Sequence, residues 1–190
     1  ATLGATSTLS ITLKNGSLIE RNSVSGTQLP SSAGAVKYGE LATDLINIKI
    51  GSTLTSSNEF ISSPTPGKYG TLTIEPTFTY SVTGSRAVVD LINNGILNLN
   101  PSTTLTFTLN GTVSGSGSIS DNGGGSITIA GVNGGSAGTL KFTNNQTINN
   151  LTINRTGTDA SVTIGNSVSM AAVGGNLNIT NGKLILPPLV

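Results

Sequence analysis

Paired carboxylates are the first chemistry to look for in a chain dominated by Gly, Ser, Thr and Asn, because polysaccharide-cleaving sites set two of them about the scissile bond. Eight acidic residues are present, and after Asp90 only Asp121 and Asp159 remain. Both sit in turn-forming company, Asp121-Asn122-Gly123 and Gly157-Thr158-Asp159, where short polar side chains ordinarily shape the backbone. Glu75 precedes Pro76, and Asp44 and Asp90 stand alone. Histidine and cysteine are absent, which excludes Ser-His-Asp and Cys-His nucleophiles and any imidazole or thiolate metal site. Calcium-binding glycine coils need an aspartate after their glycines. Gly123-Gly124-Gly125 and Gly134-Gly135 have none following. Ser114-Gly115-Ser116-Gly117 is followed by no lysine and so is no phosphate loop. The expectation is therefore no catalytic residue, no metal site and no cofactor.

Hydroxyls and amides offer a second kind of chemistry. Thr71-Leu72-Thr73, Thr77-Phe78-Thr79 and Thr104-Leu105-Thr106-Phe107-Thr108 set pairs of Thr on one face of a strand. Such words resemble those of ice-binding β-solenoids, although β-branched Thr also simply suits a solvent-facing strand. Asn15, Asn110, Asn145, Asn150, Asn154 and Asn178 each begin an Asn-x-Ser/Thr sequence. In a chain so rich in these residues, stacked amide ladders in turns are the favoured reading.

Composition narrows the class. Only 9% of the 190 residues are charged and the net charge is +1, so no field is present to hold nucleic acid or an anionic membrane. No apolar run reaches the ~18 residues of a membrane helix. The start, Ala1-Thr2-Leu3-Gly4, lacks a basic and apolar leader, as a mature exported chain would.

The elements that must position these groups are short strands. Apolar–polar–apolar words recur at Leu97-Asn98-Leu99, Leu105-Thr106-Phe107, Ile127-Thr128-Ile129, Leu140-Lys141-Phe142, Leu151-Thr152-Ile153, Val162-Thr163-Ile164, Val168-Ser169-Met170 and Leu177-Asn178-Ile179. Leu184-Ile185-Leu186 closes the series with an apolar middle, and a weaker strand is expected around Ile119. Alternation sends the flanking side chains to one face and the middle one to the other. Ile46 to Ile50, Leu72-Thr73-Ile74 and Thr77 to Tyr80 alternate likewise in the first half. Short strands with brief polar turns predict an all-β chain, an irregular β-solenoid (parallel β-helix) wound about one apolar interior. An antiparallel β-sandwich is the structural alternative. Scarce aromatics, 4% of residues, favour the solenoid.

Two regions are expected. Residues 1–90 carry twelve of the 17 charged residues and read as a strand-rich, less regular capping part, and residues 91–190 read as solenoid repeats. Asn15-Gly16 between two apolar segments predicts a capping hairpin. A short helix or turn is placed near Tyr38 to Asp44, within Ala33 to Ile46, and Ser62 to Gly67 is a proline loop.

The stretch LKFTNNQTINNLTINRTG from Leu140 to Gly157, with VTIGNSV from Val162 and GNLNITNGKLIL from Gly175, resembles repeats of Bacteroidetes (flavobacterial) cell-surface adhesins exported by type IX secretion. It covers about residues 93–186. The resemblance implies an extracellular or cell-surface, non-enzymatic segment presenting an extended β-face, with glycans or secretion machinery as partners. The alternatives are a filament subunit joined by strand exchange, and an ice-binding or carbohydrate-active β-helix. Gly182 to Leu186 reads as a last strand before Pro187-Pro188, leaving an edge to be covered by further sequence of the protein or a neighbouring copy.

Overall fold

The computed structural model describes residues 11–22, 36–53, 67–82, 84–99, 104–121, 123–166, 169–170 and 175–186. In chain order the strands are β1 (Ile11–Leu13), β2 (Leu18–Arg21), β3 (Val36–Tyr38), β4 (Leu45–Ile50), β5 (Lys68–Ile74), β6 (Thr79–Val82) and β7 (Arg86–Val88). There follow β8 (Asp90–Asn93), β9 (Ile96–Leu99), β10 (Leu105–Leu109), β11 (Val113–Ser114), β12 (Ser118–Asp121), β13 (Gly125–Ile129) and β14 (Ser136–Leu140). The last are β15 (Thr147–Ile148), β16 (Asn150–Asn154), β17 (Ser161–Ile164), β18 (Ser169–Met170), β19 (Asn176–Asn181) and β20 (Lys183–Ile185).

Every strand pairing is parallel, and the strands stack into a β-solenoid of about six turns. Three faces recur in each central coil. The broad face is an eight-stranded sheet ordered β2-β4-β5-β8-β11-β14-β17-β20, the middle face a five-stranded sheet ordered β19-β16-β13-β10-β7, and the narrow face a three-stranded sheet ordered β12-β9-β6. Two further pairs, β1-β3 and β15-β18, complete the ladders. The broad ladder crosses residue 90 without a break, since Thr71 to Ile74 pairs with Asp90 to Asn93.

Alternation places the apolar residues inside, as the words require. Val88, Leu109, Ile129 and Ile153 stack in register and are buried. So do Tyr80 and Leu97 on the narrow face, and Ile48, Leu72, Leu91 and Val113 on the broad one. Each such side chain contributes roughly 1.5–3 kcal/mol relative to exposure. Thr152 between Leu151 and Ile153, and Thr163 between Val162 and Ile164, are half-exposed. The strand expected around Ile119 is β12, with Ile119 buried.

Several local expectations are corrected. Asn15-Gly16 makes no hairpin: β1 pairs with β3 and β2 with β4, both in parallel. Of the two turn residues only Gly16 has positive φ, +80°, whereas the tight hairpin turn for Asn-Gly requires both. The turn is instead a corner closed by the Ser17 N–H to the Lys14 carbonyl at 2.9 Å, and Gly16 N–H bonds the next coil at Leu45 O, 2.8 Å.

Of the helix or turn expected near Tyr38 to Asp44, the turn forms. Val36–Tyr38 is a strand, and the chain then turns tightly, with Asp44 Oδ2 accepting from the backbone N–H of Glu40 at 2.7 Å and of Leu41 at 3.1 Å. Leu140-Lys141-Phe142 is not one strand either. It bends round a corner, with Leu140 ending β14 on the broad face and Phe142 bridging to Ile119 on the narrow one. Thr77 has φ of +69° and belongs to a turn, so the strand begins only at Thr79. The proline loop before Gly67, Val168 and Asn122 lie outside the described residues.

Several corners are turned by glycine at positive φ. At Gly131, φ is +100° and a Cβ would lie 2.0 Å from the Asn110 carbonyl oxygen. Successive coils approach there too closely for any side chain.

Candidate functional site

The outward side of the middle face carries two rows in register among the described residues. Its first row is Thr106, Ser126, Asn150 and Asn176, and its second is Thr108, Thr128, Thr152 and Asn178. Both follow from alternation, because the residues between them in β10, β13 and β16 turn inward. No outward residue of either row is charged. The polar groups bond to one another from coil to coil: Asn150 Nδ2 donates to Ser126 Oγ at 3.2 Å, and Asn176 N–H donates to Asn150 Oδ1 at 3.1 Å. At one end, Asn150, Thr152, Asn176, Leu177 and Asn178 line an open depression of about 460 Å³.

Thr71 and Thr73 share one face of β5, as Thr106 and Thr108 share one of β10, but the words do not gather on one surface. Thr71 and Thr73 face Asp90 and Ile92 on the broad sheet, Thr79 lies on the narrow one, and only Thr106 and Thr108 belong to the middle face. The three words therefore share no surface. The row Thr108–Thr128–Thr152 is assembled from three different words, which only the register reveals.

Amide stacking occurs at the corners and edges. Asn181 Nδ2 donates to Asn154 Oδ1 at 2.8 Å, and Thr71 N–H donates to Asn47 Oδ1 at 2.8 Å. Asn98 links Ser81 below and Ser120 above at 3.1 Å each.

The two late acids are not brought together. Asp121 ends β12 and is 2% exposed. Its Oδ2 accepts from Gly125 N–H at 2.9 Å across the corner between the narrow and middle faces. Asp159 is exposed at φ +53° in the turn between β16 and β17, at a different corner. Among the described residues no three His, Cys, Asp or Glu side chains gather where they could hold a metal ion. None of the described helices is long and apolar enough to cross a membrane, the described elements being strands.

Sequence reasoning missed the polar groups inside the coil. Arg155 is 1% exposed, and its Nη1 donates to the carbonyls of Gly111 at 2.6 Å and Ala130 at 3.4 Å, at the same corner of preceding coils. Arg86 occupies the inward position in register with Phe107, close to Tyr69, and donates to Ser85 O at 3.0 Å. Asn93 points inward and donates to Ser118 O at 2.9 Å. The signal was the alternation itself: Leu151, Ile153 and Arg155 share one parity, as do Ile119 and Asp121, and Leu91 and Asn93.

Tyr38 and Tyr69 meet edge to face, ring centroids 6.5 Å apart, in the first coils. Burial raises the pKa of both hydroxyls, Tyr69 far beyond the ordinary tyrosine range. On the broad face, Lys49 pairs with Glu20 at 3.1 Å and Glu75 at 3.7 Å, and its bond to Glu20 raises its pKa. Charge is thus met on the broad face and is absent from the rows of the middle one.

No family model, curated protein or solved structure matches the chain. Among the described residues the architecture is a parallel stack whose middle face carries two uncharged rows of hydroxyls and amides.

Proposed function

We propose that this chain is a non-enzymatic segment of an extracellular surface protein, a stacked scaffold that presents its uncharged middle face to glycans or neighbouring cells. The observation that carries the reading is the pair of rows from Thr106 and Thr108 to Asn176 and Asn178, uncharged and in register across four strands. Across β10, β13, β16 and β19 the exposed and half-exposed members of these rows present hydroxyls and amides at strand spacing, about 4.8 Å, with Ser126 buried between its neighbours. Neutral hydrogen-bonding ligands suit such a surface, and attraction to it would be insensitive to salt, because no charge is there to screen. The resemblance of residues 93–186 to surface adhesin repeats supports the same placement.

Antibody labelling of intact cells of the producing organism tests the location. Staining without permeabilisation is expected, and staining only after permeabilisation overturns it. Retention of the purified chain on insoluble neutral polysaccharide tests the role. Binding that survives molar salt, with no release of soluble sugar, is expected. Release of oligosaccharides shows an enzyme instead.

A further inference from the structure

The last described coil exposes what the central coils bury. Ile179 continues the inner column of Ile153, yet is 47% exposed where Ile153 is 0%, and Leu177 is 50% exposed above Leu151 at 2%. β19 and β20 end their sheets, each paired on one side only among the described strands. At the opposite end β1 and β2 also carry one neighbour each among the described strands, and Ile11, Leu13 and Ile19 are only half-buried. Ile19 and Leu184 are the two partly buried residues packed against the ends of the continuous core.

The two end coils match each other. Ile11-Thr12-Leu13-Lys14-Asn15-Gly16-Ser17-Leu18-Ile19 and Leu177-Asn178-Ile179-Thr180-Asn181-Gly182-Lys183-Leu184-Ile185 align without a gap, with apolar residues, Asn-Gly and Leu-Ile at the same places. Both strands precede the same corner, turned by a glycine at φ +80° in Gly16 and +91° in Gly182. Both corner asparagines already bond the adjoining coil through Oδ1 or Nδ2, Asn15 to Leu45 and Asn181 to Asn154.

We propose that a second copy of this chain stacks end-on, its first coil seated on the last coil of its neighbour. β1 then adds to β19 in parallel, Ile11 and Leu13 covering Leu177 and Ile179, with Asn15-Gly16 over Asn181-Gly182. Ile19 covers Leu184 after a one-residue slip at the corner, of the kind found between β16 and β19 at Ile153/Asn154. The new interface repeats the coil–coil contact already made inside the molecule. Because it joins different surfaces and does not close, it builds a linear fibre.

Light scattering and sedimentation of the 190-residue chain over a range of concentrations test this. Mass rising with concentration, and fibres with a ~4.8 Å repeat along their axis, are expected. A strict monomer at high concentration overturns the proposal. Ile179→Lys blocks one end and Ile11→Lys the other; each variant alone should stay monomeric, and an equimolar mixture should give only a two-chain species. Association of either variant with itself, or none in the mixture, overturns head-to-tail stacking. Should Ile11→Lys melt well below the parent, hydrogen exchange of the parent chain decides. Amides of β1 and β19 must gain protection together as concentration rises, and protection of β19 alone means the ends meet like to like.

Discussion

The Arg155 guanidinium reaches the Gly111 carbonyl, 44 residues earlier, with Nη1 and oxygen 2.6 Å apart. That bond ties the corner between the middle and broad faces through successive coils, since the same Nη1 also approaches Ala130 O at 3.4 Å. The carbonyls of a solenoid corner fall outside the strand ladders, and buried ones need a donor. A long side chain aimed along the stack supplies it.

Arg155→Met should keep most of the packing and remove the donor. Leaving a buried carbonyl without a partner costs about 1–3 kcal/mol. A urea midpoint lowered accordingly is expected, and an unchanged midpoint would show that water reaches the corner.

Ile153→Asp should unfold the central coils, because it puts an unpaired carboxylate at a position 0% exposed. Thr152→Asp, one residue away and outward, should alter stability by about 0.5 kcal/mol or less. Thermal melts of the two variants check the inside–outside assignment, which equal effects would refute.

Gly131→Ala and Gly135→Ala separate two costs. Both glycines have positive φ, but an added Cβ meets nothing within 4 Å at Gly135 and the Asn110 oxygen at 2.0 Å at Gly131. Gly135→Ala should cost about 1–2 kcal/mol from backbone conformation alone. Gly131→Ala should cost clearly more, as read from denaturant midpoints.

Alkaline pH should destabilise the chain. Tyr69 and Tyr38 have folded pKa values raised by burial, so they stay protonated in the folded state where the unfolded chain loses protons, above about 10. Their contribution is complete below that pH and declines as pH rises toward the folded values. Lys49, raised by Glu20, acts in the same sense. Urea midpoints between about pH 8 and 11 should fall with pH, and less steeply in Tyr69→Phe.

The solenoid was legible because alternation and turn residues are local. Leu151-Thr152-Ile153 announces which side faces inward before any neighbour is known, and a stack of such words has one apolar interior to fill. Direction of pairing was less legible at Asn15-Gly16, where the dipeptide fits a hairpin equally well; Leu45, thirty residues on, decides the matter by bonding Asn15 Oδ1. The middle face was hidden for a related reason. Thr108, Thr128 and Thr152 belong to separate words at unequal spacing, and only the register lines them up. Arg155 and Asp121 were hidden by their chemistry, since a charged residue after an apolar word reads as the return to solvent. At corners the chain must satisfy carbonyls and N–H groups inside the wall, so the inward parity there goes to a polar side chain.

The partners within the ladders lie 22 residues apart at Ser120 and Asn98, 24 at Asn150 and Ser126, and 26 at Asn176 and Asn150. All hydrogen bonds between coils run along the stack, and the chain enters at one end of it and leaves at the other. A tensile load applied through Ile11 and Leu186 therefore opens the bonds of one coil at a time, as a zipper does, instead of shearing many together. Register partners lie from 17 residues apart at Thr79 and Ile96 to 29 at Leu18 and Asn47, so each event frees roughly 55–100 Å of extended chain. Under such a pull the molecule lengthens in unequal steps at low force, a yielding tether along its axis.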